Sequence, residues 1–416
     1  MIRGSLTTGM IRSGILGAIL VSAFGVPAYA ADLYGPPPAP AKSWWDDLKF
    51  HAQIEGGITG NPAGPDNGIN FGQLFTDKDN EFQLNQILLT AQRDIDPKKD
   101  WDVGMKFQFM YGSDARYTHF MGELDHVTSD RDQLDIVENW IDIKTPWLGK
   151  GGMEFKVGQY VTLEGAEVID PRGNFFYSHS YIFFFGIPFK HTGVLTTTHV
   201  SDTLDIYAGA DTGVNTTFGS EGDPNGSGAF HGGFGLHLLN NNLNILATTH
   251  IGPENPNDNK DIRYLNDITA VWKLGDKLTS ITDFNYIHDD ILGGQDGGGI
   301  AQYFTYTIND WLAAAIRGEF WRDVQGFYVA AFPQNSGFVN FEEGNPAIVL
   351  GAGPATYTEL SLGLNIKPFA NASSDWMKTA LIRPEVRWDH SLETNAFNDF
   401  KDNNQFTVAS DFVITW

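Results

Sequence analysis

The sequence predicts an all-β fold: a transmembrane antiparallel β-barrel of about sixteen strands, with long loops on one rim and short turns on the other. Three observations carry this expectation. Apolar and polar residues alternate with period two, again and again, from Phe50 to Trp416. The alternating segments are each about ten residues long, which is what a tilted strand needs to cross a bilayer. The connections between them alternate long and short, which a barrel with two unlike rims requires and a soluble sandwich or propeller does not.

The first 30 residues stand apart from this pattern. Arg3 and Arg12 form a basic start, residues 15–26 are mostly apolar, and Ala28-Tyr29-Ala30 has the small-x-small form of a cleavage site. Residues 1–30 therefore read as a secretory signal, implying export by the general secretory route. With no Cys near the cleavage site, a lipid anchor is not expected. Residues 31–47 read as a Pro-rich periplasmic leader carrying the run YGPPPAPAK, and residues 48–416 as the barrel. Beyond the signal no apolar run reaches the ~18 residues of a membrane helix. The absence of Cys excludes a disulfide scaffold. Taking Arg3 and Arg12 from the 27 basic residues leaves 25 against 51 acidic ones. So acidic a chain is a poor partner for nucleic acid or anionic lipid and suits a wet, cation-tolerant surface or pore.

Within the barrel region the expected strands start near Lys49, Glu81, Trp101, Gln133, Gly151, Phe189, Thr203, Gly228, Leu243, Ile262, Leu278, Gly299, Leu312, Ala355, Lys378 and Asn404. The third sets Val103, Met105, Phe107, Phe109 and Tyr111 against Gly104, Lys106 and Gln108. The fourteenth sets Leu360, Leu362 and Leu364 against Ser361, Gly363 and Asn365, and the fifteenth sets Ile382, Val386 and Trp388 against Arg383, Glu385, Arg387 and Asp389. The apolar member of each pair of faces is expected to meet lipid. Residues 59–80, 113–132, 162–188, 215–227 and 323–354 form long connections rich in Gly, Asn, Asp and Pro. Residues 94–100, 146–150, 201–202, 240–242, 275–277 and 309–311 are short turns. The Gly-rich run GGQDGGG (293–299) reads as loop.

The chain ends FTVASDFVITW, placing Phe412, Ile414 and Trp416 on one face of a last strand. That strand must pair with the first, since an open sheet edge is not tolerated in lipid. A terminal tryptophan suits the membrane interface, and an aromatic final strand is similar to the signal read by the outer-membrane assembly machinery.

Several stretches resemble the beta-barrel porin-2 (OmpL-like) family of Gram-negative outer membranes: FQLNQILLTAQRDID (82–96), VGMKFQFMYGSDARYT (103–118), VGQYVTLEGAEVI (157–169), NFFYSHSYIFFFGIPFKHTGVL (174–195) and LIRPEVRWDHS (381–391). The resemblance implies an outer-membrane porin, embedded in lipid and lipopolysaccharide, with small hydrophilic solutes as its cargo. A homo-oligomer is left open, and no cofactor is expected.

The segment 161–188 follows the fifth strand, where general porins fold a loop into the lumen. It holds Glu164, Glu167, Asp170 and Arg172, then an aromatic run too apolar to hang free in water. It is expected to constrict the pore; the alternative is an extracellular lid or part of a strand. Lumen-parity wall residues are Lys106, Lys156, Arg317, Glu319, Arg383, Glu385, Arg387 and Asp389. Acidic loop opposite basic wall would set up a transverse field, although the charges of residues 383–389 could equally pair within the wall. Ser178-His179-Ser180 is not spaced as a hydrolytic triad, so no enzyme is expected. Residues 77–81 and 257–261 only partly resemble calcium loops. His179, His191, His231, His237 and His250 lack an H-x-x-x-H spacing, so no metal site is expected. The sequence thus favours a passive, weakly cation-preferring diffusion pore. The alternative is an outer-membrane surface protein whose acidic loops bind an external partner, with the barrel as anchor.

Overall fold

Alternation with period two puts each side chain on one of two faces, and pairing such segments edge to edge builds a sheet with an apolar and a polar side. In the computed structural model, which describes residues 43–416, that sheet closes on itself. The expected signal at 1–30 and the expected leader up to residue 42 lie outside the described residues. In the remainder of that expected leader, Trp44–Asp47 forms one 3-10 turn.

The barrel strands are β1 (Lys49–Gly60), β2 (Phe82–Arg93), β3 (Asp102–Gly112), β4 (Gln133–Thr145), β5 (Gly152–Val161), β6 (Lys190–Ser201), β7 (Leu204–Asp211) and β8 (Ala229–Leu238). They continue as β9 (Leu243–Pro253), β10 (Ile262–Leu274), β11 (Leu278–Asp289), β12 (Gln295–Asn309), β13 (Leu312–Asp323), β14 (Ala355–Ile366), β15 (Leu381–Ser391) and β16 (Asn404–Thr415). Each strand pairs antiparallel with its successor. β16 pairs with β1 from Gln53–Thr415 to Gly60–Val408, and Trp416 and Ala52 exchange backbone hydrogen bonds of 2.9 and 3.0 Å. Closure satisfies the backbone groups that an edge would leave bare in hydrocarbon.

The rims differ as expected. One carries residues 94–101, 146–151, 202–203, 239–242, 275–277 and 310–311; its longest connection, 367–380, winds into a helical turn at Asp375–Lys378. That turn delays the fifteenth strand, expected near Lys378, to Leu381. The twelfth strand corrects the sequence reading in the other direction. It begins at Gln295, so most of the Gly-rich run is strand rather than loop. At Gly297 rings take the side-chain space: a Cβ there would stand 2.9 Å from the Tyr328 ring and 3.1 Å from that of Trp321.

Val103, Phe107, Leu362, Val386 and Phe412 all face outward and exposed. Trp101, Trp147, Trp272, Trp311, Trp376 and Trp416 are exposed along the short-turn rim, an aromatic belt at interface height. The buried core lies inside the barrel, toward the long-loop rim. Loops contribute Phe71, Phe75, Tyr117, Tyr181, Phe183 and Phe332 to it.

Candidate pore constriction

The loop 162–189 is the main tenant of the lumen. A loop inside a barrel must find partners for its own backbone, because its N–H and C=O groups have no ladder to join. Here charged side chains on the inner wall supply them. Glu385 accepts from the backbone N–H of Tyr177 at 2.9 Å and of Ser178 at 3.2 Å. Glu319 accepts from Tyr181 and Ile182 at 2.7 and 2.8 Å. Asp267 and Asp283 take the N–H groups of Gly165 and Ala166. The arginines hold carbonyls: Arg383 donates to Pro171 and Asn174, Arg317 to Ser178, and Arg387 to His179. These wall residues sit on β10, β11, β13 and β15, so the loop is tied to strands remote from its own β5 and β6.

Its aromatic half then packs between the strands. Tyr177 reaches across to Asn85 on β2, donating its hydroxyl at 2.8 Å, and its ring lies over β1. A Cβ on Gly57 would stand 2.6 Å from that ring, which is why glycine is needed there. Tyr181 donates to Asp389 at 3.0 Å and stacks on Tyr357. Ile182–Gly186 winds into one π-helical turn, with Phe183 and Phe184 buried against Phe75.

The charged groups named from the sequence fall into two sets. Glu167 is buried, ion-paired to Arg317 at 2.7 Å, and accepts from Tyr303 and Ser180. Glu164 is buried, and neither of its carboxylate oxygens has a hydrogen-bond partner among the described residues. Asp170 caps the 3-10 turn Pro171–Gly173, pairs with Arg172 at 2.8 Å and accepts from Gln53 at 3.2 Å. Arg172 is exposed.

On the wall, Arg317 also pairs with Glu359 at 3.1 Å, Arg383 with Glu55 and Asp411, and Arg387 with Asp389. All three arginines are essentially unexposed. Lys106 pairs with Glu138, and Lys156 lies 4.7 Å from the Trp140 ring centre.

The sequence left open an acidic loop facing a basic wall or charges paired within the wall, and the described wall arginines are paired. The arginines do not project into open water; they are spent on neighbouring carboxylates and on the loop backbone. The physical reason is desolvation: once aromatic rings exclude water, an unpaired guanidinium would be too costly to keep. The carboxylates that complete these pairs, Glu55, Glu359 and Asp411, were missed by the sequence reading. Their lumen parity is legible, but which strand faces which needs the register. The calcium-like run at 77–81 is likewise structural, with Asp77 buried and bound to Arg116 and Arg131. His179 packs its ring on Phe183, and its Nε2 lies 3.1 Å from Asn174 Nδ2.

Residues 47–416 match the family described as "Putative beta-barrel porin-2, OmpL-like". The chain belongs to this porin family.

The porin is also similar in fold to solved outer-membrane proteins. It shares 13% identity and a TM-score of 0.52 with the outer membrane channel DcaP of Acinetobacter baumannii, over 89% of this chain and 97% of that one. It shares 8% identity and a TM-score of 0.54 with an anion-selective porin from Comamonas acidovorans, over 89% and 99%. A loop L8 deletion mutant of OmpT, an outer membrane protein of Vibrio cholerae, gives 12% identity, a TM-score of 0.52 and coverage of 88% and 98%. No curated protein matches the chain. Family and fold together place the porin in the outer membrane.

Proposed function

We propose that this porin is a passive diffusion channel for small hydrophilic solutes and ions, weakly cation-preferring, constricted by the loop 162–189. It carries out no chemistry of its own, and it reaches the outer membrane by the general secretory route and the barrel assembly machinery, with Phe412, Ile414 and Trp416 as the assembly signal. The barrel domain is 48–416, following the signal at 1–30 and the leader at 31–47.

The observation that carries the reading is the anchored loop. A loop held across the lumen by Glu319, Glu385, Arg317, Arg383 and Arg387 narrows the passage instead of closing the barrel with a separate domain. Acidity supports the cation preference. The chain carries 51 acidic residues against 27 basic ones. The extent of aromatic packing in the outer half supports a second reading, in which the barrel anchors an externally binding loop surface.

Unitary conductance and reversal potential under a salt gradient, measured on purified protein in planar bilayers, separate the two. A small but finite conductance with cation-shifted reversal supports the channel. Neutralising Glu164, Glu167 and Asp170 together should reduce that shift, most clearly at low salt, where the Debye length is longest. The same change at the exposed Asp66, Asp130 and Glu221 should matter less. Absence of conductance from inserted, heat-modifiable protein would favour the anchor.

A further inference from the structure

Four neighbouring strands each bring one metal-ligating side chain to the same patch of inner wall, just inside the long-loop rim. They are His191 on β6, Asp211 on β7, His231 on β8 and His250 on β9. Register places them together: Gly193 faces Asp211, Gly209 faces His231, and His231 faces His250. Ring centres lie 4.5 Å apart for His191 and His231 and 4.7 Å apart for His191 and His250. The side chains of His191, Asp211 and His250, and His231 as a whole, have no accessible surface.

The hydrogen bonds leave specific atoms over. His191 uses Nε2 on the Thr162 hydroxyl, at 3.2 Å, so its Nδ1 remains, 3.5 Å from Asp211 Oδ2. His250 uses Nε2 on Asp211 Oδ1, at 3.0 Å. Asp211 Oδ2, His191 Nδ1 and both ring nitrogens of His231 have no hydrogen-bond partner among the described residues. One ligand atom from each of His191, Asp211 and His231 falls within a 4.8 Å span. A neutral imidazole must place one N–H and one lone pair. His231 places neither, in a spot that a water-sized sphere does not reach.

From this geometry we propose that His191, Asp211 and His231 bind one divalent transition-metal ion of the zinc class at the outer mouth of the barrel. Two imidazoles and one carboxylate suit zinc, cobalt or nickel, whereas calcium and magnesium take all-oxygen sets. Donors ~2.0–2.2 Å from a metal stand roughly 3.3 Å apart, so the side chains draw together by about an ångström on binding. His250 orients Asp211 through Oδ1, leaving Oδ2 for the metal, and Thr162 orients His191, the outer support that such ligands ordinarily have. The ion therefore ties the β6–β8 wall to the first residue of the constriction loop. The inference goes beyond the channel reading and does not depend on it.

The test uses the full-length, untagged protein in detergent, stripped with a chelator and titrated with Zn2+ by calorimetry and with Co2+ by visible absorption. One ion per barrel is expected, with ligand-field bands of a nitrogen- and oxygen-ligated Co2+. His231→Ala should weaken Zn2+ binding by more than about 100-fold, and His250→Ala by about 10- to 100-fold, as for loss of an orienting partner. His237→Ala, in a histidine lower on the same wall, should leave binding unchanged. Heat-modifiable gel mobility reports whether each variant still forms the barrel, and the near-isosteric His231→Gln replaces His231→Ala if that variant does not fold. Failure of the parent to take up either ion stoichiometrically overturns the proposal. So does undiminished binding by a folded His231 variant, or an equal loss from His237→Ala.

Discussion

Arg317→Ala is the sharpest probe of the constriction. Arg317 is buried between Glu167 of the loop and Glu359 of β14, and it also donates to the Ser178 carbonyl at 3.0 Å and the Ser178 hydroxyl at 3.0 Å. Removing it leaves two carboxylates buried without their cation, and Glu319 faces Glu359 directly across the strand pair. Breaking one partner from a buried ion pair costs ~3–5 kcal/mol. The barrel ladder itself does not depend on Arg317, so the cheapest relief is release of the loop. At 1.4 kcal/mol per factor of ten, the released fraction should rise by roughly two to three and a half orders of magnitude. In planar bilayers the variant should show larger or flickering unitary conductance. The control is Arg322→Ala, which removes an ion pair to Glu393 that is 40% and 44% exposed; such pairs are worth ~0–1 kcal/mol, so conductance should hold. Converting the whole triad to neutral residues, Arg317→Met with Glu167→Gln and Glu359→Gln, should recover part of the parental behaviour. If Arg317→Ala, with normal heat-modifiable mobility, conducts like Arg322→Ala, the loop is not the constriction and the reasoning fails.

Three other outcomes are expected. Arg at the lipid-facing Phe107 or Leu362 should destabilise the barrel by ~2–4 kcal/mol near the midplane in urea unfolding from bilayers, and Arg at the lumen-facing Thr197 by much less; equal costs would invalidate the assignment of faces. Phe412→Ser with Trp416→Ser should slow insertion and expose the chain to periplasmic proteases, which surface labelling and gel mobility would reveal; unchanged levels would remove the assembly-signal argument. Glu342, on the short helix of the outer loop 324–354, has its carboxyl pushed up to about 8 by burial, with Asn215 and Arg263 opposing. A raised carboxyl stabilises the packed loop below its unfolded value and loses that contribution as pH rises through about 8. Proteolysis of this loop should therefore quicken between about pH 5 and pH 8 and level off above, and Glu342→Gln should flatten the dependence; an unaltered pH profile in the variant would exclude Glu342 as the cause.

Much of the architecture is legible without coordinates, because membrane strands obey a strict local rule. Val103, Phe107, Leu362 and Phe412 must share parity with their neighbours if hydrocarbon covers one face, and this locates strands and faces alike. Trp416 is readable for the same reason, since it closes the run that must meet β1. The alternation of long and short connections follows from two rims with different duties. The rule fails where side chains override it, at the Gly-rich start of β12, where Trp321 and Tyr328 occupy the space that side chains at Gly297 would need.

What tertiary structure alone decides is partnership across the lumen. Parity puts Arg317, Arg383 and Arg387 inside, and says nothing of whether they face water, a carboxylate or a loop carbonyl. Their neutralisation by Glu167, Glu359, Glu55, Asp411 and Asp389 depends on the register of strands far apart in sequence and on a loop folded between them. The histidines make the same point. His191, His231 and His250 are separated by 40 and 19 residues in the chain, so no local spacing marks them. Antiparallel pairing of β6 through β9 sets them side by side, because register is a property of the closed barrel and not of any one strand.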